Sequence, residues 1–140
     1  MREILFRGKT PSGNWVEGFF LTRKQRYKGN KTFISEKSVI STGITESSGA
    51  YGESQKTIEY EVIPETVGQY TGLTDKNGKK IFEGDIFAHP DNKKYKYIVS
   101  WDDDVASFGW FNGDGMGFDN EEIEIIGNIH DNPELVGDTN

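Results

Sequence analysis

The chain has 140 residues, which suits one domain or two very small ones, and its 34% hydrophobic and 13% aromatic content allows a core built largely on rings. It has no cysteine, which excludes a disulfide framework and a thiolate metal site. The start at Met1–Arg7 lacks the apolar stretch of a signal peptide, and no run approaches the roughly 20 apolar residues of a membrane span, so a cytoplasmic protein is expected. The net charge of −7 is polarised: residues 1–96 hold all 16 Lys and Arg against 12 acids (+4), whereas 97–140 hold 11 acids and no base (−11).

In chain order, Glu3–Arg7 reads as a strand, Ser12-Gly13-Asn14 as a turn, and Trp15–Leu21 as a second strand with Trp15, Phe19 and Leu21 on one face. Thr22–Lys31 is expected to be a basic connector, and Thr32–Ile34 and Val39–Thr42 short strands. Residues 46–56, rich in Ser and Gly, are expected to form a flexible loop. Thr57–Ile63 returns to strand character, Pro64-Glu65 interrupts it, and Val67–Thr71 is extended again. Asn77-Gly78 accepts positive φ at both positions, as a type I′ turn requires, and is the clearest reversal signal in the chain. Gly84-Asp85 then bends the chain into Ile86-Phe87-Ala88. Tyr95, Tyr97, Val99 and Trp101 alternate onto one face of a strand whose expected partner is Phe108–Phe111. Glu122–Ile129 supplies the last strand, and Asn132-Pro133-Glu134-Leu135 a cap with one helical turn. Residues 8–18 and 72–84 share a Gly-x-Thr start, a Gly-centred turn, an apolar pair and Glu-Gly, an echo read as convergent hairpin chemistry.

The predicted fold is all-β with little helix: an N-terminal β-hairpin region over 1–63 and a small SH3-like β-barrel over 64–140, the two sharing one core or standing as two domains.

Three segments in order resemble the YopX family of phage and prophage proteins: Phe6-Arg7-Gly8-Lys9 with Trp15-Val16-Glu17-Gly18, the run from Thr66 through Asn77-Gly78 to Ile86, and the closing Ile126–Leu135. The resemblance implies a mostly-β protein encoded by a bacterial virus and acting in the host cytoplasm. It supplies no catalytic residues. His130 stands where the closing motif more often has tyrosine.

The residues themselves give no enzyme signature: the expectation is no catalytic residue, no metal and no cofactor. The acidic stretch from Asn112 has oxygen ligands and a glycine at some positions of a calcium loop, but Met116 and Ile123 occupy positions where the loop needs oxygens. Glu83 and Asp85 are the best carboxylate pair for acid–base work, against the simpler reading that Asp85 bonds local amides and fixes the bend. His89 and His130 lack motif partners. Two surfaces remain. Tyr97, Trp101, Asp102, Asp103, Asp104 and Trp110 combine aromatic and acidic groups suited to a protein partner. Arg23, Lys24, Arg26, Tyr27 and Lys28 combine cations with a ring suited to nucleic acid. The expected protein is therefore a non-enzymatic accessory factor, homo-oligomeric and binding a host or phage macromolecule, with a nucleic-acid-binding module as the alternative.

Overall fold

The computed structural model describes residues 4–26, 34–47, 55–102, 107–111 and 119–137. The protein is all-β, with ten strands and one helical turn among these residues. Ile4–Val67 form one compact unit, and the chain from Gly68 onward forms a second.

In the first unit, β1 (Phe6–Lys9) and β2 (Trp15–Arg26) form the expected hairpin, with Phe6 opposite Gly18 and Lys9 opposite Trp15. β2 does not stop at Leu21. Arg23, Lys24 and Arg26 continue the strand and pair with Lys37, Glu36 and Ile34 of β3 (Ile34–Ser47), so the basic connector is a strand as far as Arg26. Of the two short strands expected over 32–42, Ile34 and Val39–Thr42 are parts of this one long strand, and residues 32–33 lie outside those described. β3 pairs in turn with β4 (Gln55–Glu61), giving the order β4-β3-β2-β1. The pairs Glu46↔Lys56 and Ser47↔Gln55 carry the ladder into the segment expected to be a loop; residues 48–54 lie outside those described. Phe20, Ile40 and Tyr60 stand in one row across three strands, the aromatic and β-branched cross-strand contact that sheets favour. Val39, Ile40 and Val62 are buried, whereas Phe19 is 61% exposed despite sharing a strand face with Trp15 and Leu21.

β5 (Ile63–Thr74) runs from the first unit into the second. The interruption expected at Pro64-Glu65 falls instead at Val62, whose N–H donates to Ser38 O at 2.9 Å. Proline has no ladder donor to lose near the start of a strand, so Pro64 is tolerated there.

The second unit contains β6 (Lys80–Phe82), β7 (Asp85–Ala88), β8 (Lys96–Asp102), β9 (Ser107–Phe111), a 3-10 turn (Asn120–Glu122), β10 (Ile125–Asn128) and α1 (Glu134–Gly137). β6 pairs with β5, placing Tyr70 opposite Phe82 with ring centroids 5.5 Å apart. The others form an open antiparallel sheet, β10-β7-β8-β9. The expected pairing of β8 with Phe108–Phe111 is present, in the register Trp101↔Phe108 and Ile98↔Phe111. Closure into an SH3-like barrel is not formed among the described residues, because β9 and β10 are opposite edges. β10 is four residues long, shifts register between Ile125 and Gly127, and passes directly into a turn. The core is Ile81, Phe87, Tyr97, Val99, Ile123 and Ile125, with the Phe87 and Tyr97 rings stacked at 5.3 Å. The period-two reading of β8 holds in its centre: Tyr97 and Val99 point inward, while Tyr95 and Trp101 at either end are exposed.

The turn at Asn77-Gly78 has a different construction from the expected type I′. Gly78 N–H donates to Asp75 O at 3.0 Å, Gly78 has φ 81°, and the ladder resumes with Asp75 N–H to Lys79 O at 2.8 Å. This is a three-residue loop ending in a glycine bulge. The first unit uses the same pattern: Gly13 N–H donates to Thr10 O (2.9 Å), Gly13 has φ 94°, and Thr10 N–H donates to Asn14 O (2.8 Å). The sequence echo is thus a shared hairpin device, with Thr10 and Asp75 in the same place. Both use that side chain as an acceptor. Thr10 Oγ1 accepts from Asn14 N–H (3.1 Å), and Asp75 Oδ1 accepts from Lys79 N–H (2.9 Å).

Asp75 does more. Its Oδ1 also accepts from Asn77 N–H at 2.9 Å, and its Oδ2 from Ile125 N–H at 3.0 Å, so one carboxylate in a residue 4% exposed holds both the hairpin and β10. Lys76 N–H adds a backbone bond to Ile123 O at 2.9 Å. Burial by itself would raise the Asp75 pKa, but the amides of Ile125, Lys79 and Asn77 and the Lys79 charge outweigh it and hold the group below its ordinary 3.8. The stabilisation is therefore complete above the ordinary carboxylate range and is lost as pH falls through the depressed value. Asp75→Asn turns an N–H₂ toward the Ile125 amide and is expected to cost about 2 kcal/mol in urea unfolding at neutral pH. The difference from wild type should shrink as the medium is acidified below pH 3.8.

Candidate functional site

Asp85, the better half of the candidate acid–base pair, is 1% exposed and accepts the Phe82 N–H at 2.7 Å. It closes the bend between β6 and β7. Gly84, inside that bend, has φ 92°, a conformation costly for residues with a side chain. Its N–H donates to Val99 O at 2.8 Å and its carbonyl accepts from Ile129 N–H at 2.9 Å, so the bend is pinned to β8 and to the turn after β10. That turn is organised by Asn128, whose Oδ1 accepts from His130 N–H (3.0 Å) and Asp131 N–H (2.9 Å), while Asn132 N–H returns to Asn128 O at 2.8 Å. His130 Nε2 lies 3.7 Å from where a Cβ on Gly84 would sit. These polar groups are committed to backbone, which is the local amide-binding role set against acid–base chemistry for Asp85.

The aromatic and acidic candidates divide. Tyr97 is buried and stacked on Phe87, so it belongs to the core. Trp101 is 39% exposed and meets Phe108 edge-on at 4.9 Å. Asp102 ends β8 opposite Ser107, and Trp110 pairs in register with Val99; Asp103 and Asp104 lie outside the described residues. Phe108 was not singled out from sequence, although its place opposite Trp101 follows from the pairing of the two strands.

Of the basic candidates, Arg23, Lys24 and Arg26 lie on β2, and Tyr27 and Lys28 fall outside the described residues. The Arg23 guanidinium forks onto Glu59 of β4, with Nη2 on Oε1 and Nε 3.3 Å from Oε2. The hydrogen bond and charge of Glu59 raise the Arg23 pKa, and the Arg23 hydrogen bond in particular lowers that of Glu59. Glu59 had no sequence signal. It pairs with one of the cations offered for a phosphate contact. Residues 112–118, most of the calcium-loop candidate, are outside the described residues, and no group of three or more metal-binding side chains occurs among those described. No helix among them is long and apolar enough to cross a membrane.

The YopX protein family matches residues 18–137, most of the chain. The chain belongs to the YopX family. The crystal structure of protein EF1440 from Enterococcus faecalis is similar to it, with 26% sequence identity, 97% of this chain and 99% of that chain covered, and a TM-score of 0.58. No curated protein matches the chain. In this YopX protein two of the three segments that carry the family resemblance hold the polar fasteners of the second unit: Asp75, Gly84, Asp85 and Asn128. Asp85→Ala is expected to lose about 2–4 kcal/mol of stability, since a buried amide loses a charged acceptor. Gly84→Ala should lose about 1–2 kcal/mol through its positive φ, and Glu83→Gln less than about 0.5 kcal/mol. Chemical unfolding of the three variants checks this order.

Proposed function

We propose that this YopX protein is a non-enzymatic phage or prophage accessory protein that self-associates and binds a host or phage macromolecule in the bacterial cytoplasm. The observation that carries the reading is the exposed Trp101 ring, set edge-on to the half-buried Phe108 of the neighbouring strand within the acidic third of the chain. Aromatic rings within reach of water are the side chains that interface centres favour. The charge polarity supports association between copies, because 1–96 carries +4 and 97–140 carries −11. Commitment of Asp75, Asp85 and Asn128 to backbone amides supports a role that does not rest on these groups as catalysts.

The nucleic-acid reading keeps the cationic strand end but is weakened by the Arg23–Glu59 pair. Sedimentation velocity at micromolar concentration is expected to give a mass that is a multiple of 15.8 kDa and falls toward one chain as salt is raised. A mass of one chain at every concentration contradicts self-association. Fluorescence anisotropy with single-stranded DNA at physiological salt is expected to show no binding by wild type or by Glu59→Gln. Salt-sensitive binding that Arg23→Ala abolishes would establish the nucleic-acid reading instead.

A further inference from the structure

The second unit carries a depression of about 120 Å³ on the outer side of β10 and β7, lined by Lys76, Ala88, His89, Pro90, Lys93, Glu122, Glu124 and Ile126. It is smaller than a drug-sized site and suits a small organic ligand or several waters. Three separate stretches build it. One wall is the 89–95 loop, whose hub is the His89 ring: Nδ1 accepts from Asp91 N–H (3.0 Å) and Asn92 N–H (3.2 Å), and His89 N–H closes the loop onto Tyr95 O at 2.8 Å. The opposite wall is the 3-10 turn with β10, where alternation turns Ile123 and Ile125 into the core and leaves Glu122, Glu124 and Ile126 outside. Ala88, Pro90 and Ile126 supply apolar surface between them.

Four of the lining residues are charged, and they are not equivalent. Lys76 and Glu124 engage each other at 3.6 Å, and Asn77 Nδ2 adds a bond to Glu124 Oε1 at 3.4 Å, so that pair is internally balanced. Lys93 belongs to the 89–95 loop and Glu122 to the 3-10 turn, and neither side chain forms an ion pair with the other or with another described residue. A cation and an anion that are not paired with each other, lining one depression with the apolar Ala88, Pro90 and Ile126, match a ligand with two opposite charges joined by a short apolar body. A simple anion would meet Glu122 and Glu124, and a simple cation would meet Lys76 and Lys93.

We propose that this depression is a binding site for a small zwitterion of the α-amino-acid class, its carboxylate toward Lys93, its ammonium toward Glu122 and an aliphatic side chain on Ala88 and Ile126. The exposed charges make the affinity weak, in the millimolar range, and sensitive to salt. Preformation by the His89-centred loop keeps the ordering cost low.

The test is an amide chemical-shift titration of the full chain with L-leucine, N-acetyl-leucine and leucinamide. The expected result is saturable shifts with L-leucine at Ala88–Lys93 and Glu122–Ile126, and binding at least about fivefold weaker for each singly charged derivative and for Lys93→Gln and Glu122→Gln. The dispersed spectra of the variants report that they remain folded. The proposal is overturned if L-leucine gives no saturable shift at these amides. It is equally overturned if N-acetyl-leucine or leucinamide binds as well as leucine, which marks a site for one charge only, or if both variants bind like wild type.

Discussion

Three backbone amides converge on the Asp75 carboxylate, two from its own hairpin and one from β10, fifty residues later. That convergence sets much of the second unit. A carboxylate this buried is tolerated only when its lone pairs are filled by donors, and here the donors belong to elements that must meet if Ile81, Ile123 and Ile125 are to share one core. Asp75 thus acts on both a local and a long-range link. It shapes the three-residue loop, and it sets where β10 lies beside it.

Asp85 and Gly84 repeat the logic one strand further on. Asp85 saturates Phe82 N–H, and the backbone of Gly84 reaches both Val99 and Ile129. The closing turn is then built on Asn128. A chain with a thin apolar fraction gains uniqueness from such polar fasteners, because each is costly to leave half made. The first unit has the same hairpin in a milder form, with the Thr10 hydroxyl in place of the Asp75 carboxylate. The YopX resemblance and the structural fasteners coincide for this reason: the recognisable residues are those the backbone depends on.

Much of this was legible in the sequence because it is local. Gly84-Asp85, the alternation of Tyr97 and Val99, the pairing of β8 with Phe108–Phe111 and the final helical turn all follow from residues near one another in the chain. The exact loop at Asn77-Gly78 did not follow, since a two-residue and a three-residue loop differ only in which residues resume the ladder, and that is decided by Asp75. The strand character of Arg23–Arg26 is hidden because a charged run carries no hydrophobic period; it comes from pairing with β3. Tyr97 reads as surface or core equally well until the stacking partner Phe87 is known. The depression around Lys93 and Glu122 has no sequence signal, because residues 76, 88–93 and 122–126 are brought together by the β7–β10 pairing and by the bonds of Asp75 and Lys76 to Ile125 and Ile123.

The central claim is that amides held by Asp75 and Asp85 are part of the cooperative frame of the second unit. Native-state hydrogen exchange tests it directly. The amides of Lys79, Phe82 and Ile125 are expected to exchange only through the global opening that also exposes Val99, with the same dependence on added denaturant. Exchange of Ile125 and Phe82 at the rate of exposed loop amides such as Lys93, while Val99 stays protected, would show that the fasteners are peripheral and contradict the account.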